Sequence, residues 1–163
     1  MTSPTPSTEP TPSRPDAADL AALYDAVTTE HATIFGYGIV SAHSTPDDND
    51  LVAEAMRVHR AQREKAIDAL TARSVTPPLP ALGYRIPIAV NDPADAANLA
   101  VRMENDAAVA WRAVLEQAAA GSGGDADRVF AVSALTQSAV LAARWKRVLK
   151  LWPLTQAFPG GSD

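Results

Sequence analysis

Four ionisable side chains in the first two thirds of the chain have the chemistry of metal ligands. Glu30, His31, His59 and Glu104 each lie near the middle of a stretch with helical periodicity, on or beside its apolar positions. Carboxylates and imidazoles that point into a helical bundle bind divalent iron, manganese or zinc. The sequence therefore predicts a candidate metal site at Glu30, His59 and Glu104. The pattern leaves open whether Glu30 or its neighbour His31 faces the interior.

The set of ligands that a di-iron centre needs is incomplete. Di-iron bundles use a Glu on each of two helices and a Glu-x-x-His motif on each of the other two. This chain has no Glu-x-x-His, because Thr33, Ile67 and Ala107 follow its mid-helix glutamates by three positions. Residues 128–162 contain no Asp, Glu or His at all. We therefore expect no ferroxidase or oxygenase activity. If these residues only pack the core, we expect no cofactor, and if they bind a metal, we expect a single divalent ion.

A histidine among apolar residues is more often a packed core residue than a metal ligand. His59 lies beside the apolar positions Ala55 and Met56, and the nearest predicted partners for its imidazole are Glu30 and Glu104. A buried ion without a partner costs several kcal/mol, so a histidine and a carboxylate would hold each other charged and fix the helix register. A packing role and a metal-binding role both remain open at this point.

Capping signals divide the chain into four helices. Thr45-Pro46-Asp47-Asp48 and Asp92-Pro93-Ala94-Asp95 each place a capping residue, a first-turn proline and acidic residues at a helix start. The predicted helices run from about Asp16 to Ala42, from Thr45 to Arg73, from Asp92 to the glycine-rich turn at 121–124, and from Asp125 to Leu151.

Apolar residues at helical spacing predict the buried face of each helix. The expected core positions are Leu20, Leu23, Val27, Ile34 and Val40; Val52, Ala55, Met56, Ala66, Ile67 and Leu70; Ala97, Val101, Ala108, Trp111 and Leu115; and Val129, Val132, Val140 and Ala143, flanked by Leu135, Leu141, Trp145 and Val148. Most large side chains face alanine, and Gly36 and Gly38 lie inside the first helix, so we expect close approach of another helix or of a partner subunit. One face of the bundle is expected to pack on a partner subunit, giving a homodimer.

The connection between the second and third helices predicts the topology. Residues 71–92 contain Pro77, Pro78, Pro80 and Pro87 and are far longer than a bundle turn requires. At roughly 3 Å per residue, an extended proline-rich segment of this length spans the bundle and makes helices two and three parallel. A short, long, short series of connections predicts an all-α, ferritin-like four-helix bundle with one long crossover between helices 2 and 3.

Three segments of the sequence also resemble a known family. They are EHATIFGYG at 30–38, HRAQRE at 59–64 and AARWK at 142–146. With them, the chain from about Asp16 to Phe158 resembles the actinobacterial ferritin-like domain of unknown function. This resemblance implies a ferritin-like fold and a cytoplasmic dimer, and it implies no reaction.

The composition of the two ends of the chain predicts where the folded domain begins and ends. Residues 1–15 are rich in Ser, Thr and Pro and lack the apolar run of a secretory signal, so we expect a disordered tail and a cytoplasmic protein. Residues 16–158 would form the bundle and 159–163 a flexible end.

A net charge of −5 without a basic stripe argues against nucleic acid or a membrane as partner. The absence of cysteine excludes disulfides and thiolate metal sites.

The leading hypothesis is therefore a non-catalytic ferritin-like domain, acting as an oligomerisation or interaction module with a degenerate metal site. The alternative is a mononuclear metal-binding or small-ligand-binding protein that uses Glu30, His59 and Glu104. The sequence identifies no substrate, and the protein partner, other than a second copy, is unknown.

Overall fold

The secondary structure consists of α helices joined by short and long connections. The structure is a computed structural model and describes residues 12–118 and 123–161. Within these residues there is no strand, and the helices are α1 (Ala18–His43), α2 (Asn49–Thr71), α3 (Pro93–Gln117) and α4 (Gly124–Val148), with a 3₁₀ turn at Pro46–Asp48. The prediction of an all-α protein with four helices is confirmed. Residues 1–11 of the predicted tail, residues 119–122, which include the first half of the predicted glycine-rich turn, and residues 162–163 lie outside the described residues.

The helix ends match the prediction best at α3. The Asp92 side chain accepts a hydrogen bond from the Asp95 backbone N–H at 2.9 Å, as the capping signal predicted. In contrast, α1 begins after Ala17 without a side-chain cap. The fourth helix ends three residues earlier than predicted, at Val148, because Lys150 adopts φ of 57° and the Leu151 N–H donates to the Lys146 carbonyl. The left-handed backbone conformation of Lys150 therefore ends the helix, although apolar residues continue beyond it.

Two apolar clusters, one at each end of the bundle, show how the helices run. The first joins the C-terminal halves of α1 and α4 to the N-terminal halves of α2 and α3, and includes Val40, Val52, Ala97 and Trp145. The second joins the opposite halves and includes Leu23, Leu70, Val114, Phe130 and Ala131. Helices α2 and α3 therefore point in one direction, and α1 and α4 point in the other.

The connection at 72–92 crosses from one end of the bundle to the other along α1. The His31 ring Nε2 lies 3.2 Å from the Pro78 carbonyl oxygen. Further along, the rings of Phe35 and Tyr84 have centroids 5.3 Å apart, and Ile86 packs against the cluster at the far end. The connection thus covers the face of α1 that carries His31.

The two glycines of α1 have different surroundings. A Cβ atom added at Gly36 would collide with the Met103 side chain, whereas one added at Gly38 would meet nothing within 4 Å. Residues two positions apart lie about 200° apart around a helix, so both cannot face the same neighbour. The predicted close approach of another helix is confirmed at Gly36. No described atom comes close at Gly38, where approach of a partner subunit stays a prediction.

The predicted core of α4 is wrong at its four valines. Val129, Val132 and Val140 are 70%, 45% and 52% exposed, and Val148 is also exposed. The predicted core positions Leu141 and Trp145 are confirmed, and the buried face also carries Phe130, Ala131, Ala134 and Ala142. This helix has two apolar faces. The face with Phe130 and Trp145 is the buried one, because large aromatic side chains bury more apolar area than valines do.

Candidate functional site: a buried glutamate–histidine layer

The three residues predicted from sequence come together in the centre of the bundle. Glu30 on α1, His59 on α2 and Glu104 on α3 are all fully buried. The His59 Nδ1–H donates to Glu30 Oε2 at 2.7 Å, and its Nε2–H donates to Glu104 Oε1 at 3.0 Å. Both carboxylates that the sequence offered as partners for His59 are therefore used at once.

The charge state of His59 follows from its two carboxylate partners. Burial alone would lower the pKa of His59, but the hydrogen bonds to Glu104 and Glu30 and their negative charges raise it to about 10. The ring is therefore an imidazolium at neutral pH and donates from both nitrogens. Two carboxylates around one imidazolium leave the layer with one net negative charge.

Aromatic side chains supply further donors to the layer. The Trp111 Nε1–H donates to Glu30 Oε1 at 2.7 Å, and the Tyr37 hydroxyl donates to Glu104 Oε1 at 2.5 Å. The Trp145 Nε1–H in turn donates to the Tyr37 oxygen at 2.9 Å. Burial and the charge of Glu104 raise the pKa of Tyr37 well above its ordinary value, so the hydroxyl keeps its proton. All four helices are linked through this network.

The sequence did not identify the aromatic members of the network. The apolar pattern predicts Trp111 and Trp145 only as core residues, and Tyr37 appears only as part of the segment EHATIFGYG. A usable signal exists, because Tyr37 follows Glu30 by seven positions and Trp111 follows Glu104 by seven. Two helical turns place each aromatic residue on the same inward face as the glutamate of its own helix, where it reaches the glutamate of the facing helix: Tyr37 of α1 donates to Glu104 of α3, and Trp111 of α3 donates to Glu30 of α1.

Some polar atoms near the layer have no hydrogen-bond partner within the described residues. These are Glu104 Oε2, Gln62 Oε1 and Ser138 Oγ, and all three are buried. Gln62 follows His59 by one turn of α2. Ser138 precedes Trp145 by two turns on the buried face of α4. Buried polar atoms are nearly always paired, so these three mark the least satisfied part of the core.

His31 does not join the layer. Burial lowers the pKa of His31, so the ring is neutral at physiological pH. Its Nε2 faces the Pro78 carbonyl of the crossover connection. Of the two adjacent residues whose orientation the sequence left open, Glu30 faces the interior and His31 packs beneath the connection.

The geometry of the layer differs from that of a metal site. A metal ion needs ligand lone pairs that converge on one point. Here both ring nitrogens of His59 carry protons directed at carboxylates on opposite sides of the ring. Among residues 12–118 and 123–161, no three His, Asp or Glu side chains are grouped so that they would hold a metal ion.

No helix within residues 12–118 and 123–161 has the length and apolar character needed to cross a membrane.

Comparison with known proteins identifies relatives without giving a function. A search of curated proteins finds no match. One solved structure, the crystal structure of a conserved hypothetical protein, rv2844, from Mycobacterium tuberculosis, is 57% identical over 82% of this chain and 98% of that chain, with a TM-score of 0.77. The family model described as Domain of unknown function (DUF4439) matches residues 22–163. This match covers most of the sequence, and the chain therefore belongs to the DUF4439 family.

Proposed function

We propose that this protein is a non-catalytic, ferritin-like four-helix domain that acts as an interaction module in the cytoplasm. The parallel arrangement of α2 and α3, with a long connection between them, supports the ferritin-like assignment, because ferritin-like bundles contain one such crossover. The absence of cysteine is compatible with a reducing compartment. In this proposal the Glu30–His59–Glu104 layer holds the helices in register.

One observation carries the proposal: both nitrogens of His59 are occupied by carboxylates. An imidazole binds a metal through a deprotonated nitrogen, and the pKa of about 10 keeps both of these protonated. The residues present do not fit a di-iron centre, since α4 contains no carboxylate or imidazole after its first turn, where Asp125 and Asp127 lie. In this proposal the layer is an ion-pair network that links helices.

Elemental analysis tests this proposal directly. Protein purified without a tag or chelator is expected to contain no stoichiometric iron, manganese or zinc, and adding each ion is expected to leave the melting temperature unchanged. His59→Ala and His43→Ala provide matched variants, because the described hydrogen bond of His43 is a local one to the Ile39 carbonyl at the end of α1, outside the layer. Near-stoichiometric metal that disappears in His59→Ala but persists in His43→Ala would contradict the packing role.

A second candidate function is supported by the unpaired Glu104 Oε2. A mononuclear divalent ion or a small cationic ligand at this oxygen would balance the net negative charge of the layer. Metal binding by Glu30 and His59 as well would require His59 to lose a proton and turn away from one carboxylate. The same elemental analysis decides between the candidates, and Glu104→Gln should abolish binding if this second candidate is right.

A further inference from the structure

The exposed side of α4 carries an apolar stripe that no described helix covers. We call Val129, Val132, Thr136, Val140 and Ala143 the α4 stripe. These residues lie at three- and four-residue spacing, which places them on one side of the helix. Val129 is 70% exposed and Val140 is 52% exposed. Apolar residues aligned on a helix and open to solvent mark an interaction surface.

The α4 stripe is symmetric about Thr136. Val132 and Val140 stand four positions before and after Thr136, and the small apolar residues Val129 and Ala143 stand seven positions before and after it. Two such helices packed antiparallel with Thr136 against Thr136 place Val132 of each copy opposite Val140 of the other. An isologous two-fold interface requires this kind of self-complementary pattern.

The charges at the ends of the stripe continue the same symmetry. Asp125 lies eleven positions before Thr136 and Arg147 lies eleven positions after it. The Asp125 side chain is 95% exposed, with one long contact of 3.4 Å to Arg128. In the antiparallel arrangement each Asp125 meets an Arg147 of the other copy. The arrangement also places the positive end of one helix dipole beside the negative end of the other.

A groove beside the C-terminal half of the stripe has room for the opposing side chains. It has a volume of about 460 Å³ and is bordered by α3, by Val140 and Ala143, and by the C-terminal segment at 154–159. The C-terminal segment lies against α3, where Gly160 approaches the Ala108 backbone. The antiparallel pairing directs Val129 and Val132 of the second copy toward this groove.

We infer that two copies of this chain pair through antiparallel α4 helices, with Thr136 on the two-fold axis. The second copy is favoured over an unrelated partner because the stripe complements itself in both apolar and charged positions. This inference rests on the proposed role as an interaction module. A metal in the bundle would leave the α4 surface unchanged, so the two proposals can fail separately.

A single introduced cysteine tests the position of the axis. The chain contains no cysteine, so Thr136→Cys gives one thiol per copy. On the axis that thiol meets its own symmetry mate, and mild oxidation of the full chain is expected to produce a disulfide-linked dimer. Val109→Cys is the matched control, because Val109 is 54% exposed on α3 and does not line the groove. Equal crosslinking in the two variants, or none in Thr136→Cys, overturns the proposed axis.

Light scattering tests the apolar contact. The wild-type chain is expected to be dimeric at roughly 100 µM, and Val140→Asp is expected to weaken the dimer roughly a hundredfold, because two carboxylates then face valines across the interface. Val109→Asp makes the same change on α3 and should leave the dimer intact. A monomeric wild type at that concentration overturns the inference, as does a dimer that Val140→Asp leaves unchanged.

Charge reversal tests the antiparallel register. Asp125→Arg and Arg147→Asp each place like charges together in a homodimer and should each weaken it roughly tenfold. A mixture of the two variants pairs every reversed charge with its opposite, so the mixed dimer is expected to recover wild-type affinity in low salt. A mixture that remains as weak as either variant alone overturns this register.

Discussion

The doubly paired His59 should make the protein less stable as the pH rises. In the folded state the pKa of His59 is raised from 6.5 to about 10 by its two carboxylate partners. Between these pH values the folded protein holds a proton that the unfolded chain has released. Linkage then requires that the free energy of unfolding falls with increasing pH. The contribution is fully present below pH about 6.5 and is lost above pH about 10.

The size of the effect follows from the same shift. Each pKa unit corresponds to about 1.4 kcal/mol, so the shift of the His59 pKa from 6.5 to about 10 corresponds to about 5 kcal/mol of folding stability. The free energy of unfolding of a small domain is about 5–15 kcal/mol. Ionisation of this one group therefore changes a large fraction of the stability, and the slope near pH 8 should approach about 1.4 kcal/mol per unit.

Urea unfolding at a series of pH values from 6 to 10, followed by circular dichroism, measures this slope. The double variant Glu30→Gln, Glu104→Gln should be less stable at pH 7 and should lose most of the pH dependence, because it removes the carboxylates that raise the pKa of His59. His43→Gln is the control and should keep the slope, since the described hydrogen bond of His43 is a local one to the Ile39 carbonyl. Equal stability of the wild type at pH 7 and pH 9.5, or the same slope in the double variant, would refute the reasoning.

Two further changes test the packing around the layer. Trp111→Phe keeps an aromatic ring but leaves Glu30 Oε1 without its indole donor, so the free energy of unfolding should fall by about 1–3 kcal/mol in urea titrations; an unchanged value would contradict the observed bond. Gly36→Ala should destabilise by about 1–3 kcal/mol because the added methyl meets Met103, whereas Gly38→Ala should stabilise by up to about 1 kcal/mol because its Cβ meets nothing. Equal melting temperatures for the two alanine variants would show that α1 and α3 are not in close contact there.

The sequence predicts part of the site because buried charge must be paired. Glu30, His59 and Glu104 stand on apolar faces, and an unpaired ion there is too costly, so their mutual contact was foreseeable. The sequence did not predict that His59 would bond to both carboxylates, because that depends on the rotation of the ring between helices. Whether these residues also hold a metal stays a prediction.

The fold is predictable where local chemistry decides it and less so where packing decides it. Asp92 begins α3 because its side chain caps the next turn, and that signal is local. The outward orientation of Val129 and Val140 is different, because both sides of α4 are apolar and periodicity cannot rank them. The choice depends on Phe130 and Trp145, which fill space that other helices create.

The network that links all four helices also limits how this core can change during evolution. Replacing His59 alone leaves two buried carboxylates facing each other, and replacing Glu30 alone removes the acceptor of both His59 and Trp111. A coordinated replacement by apolar residues of similar volume avoids both penalties and is often neutral or stabilising in other proteins. Related sequences should therefore keep or lose these polar residues as a group, and intermediates with only one of them changed should be rare.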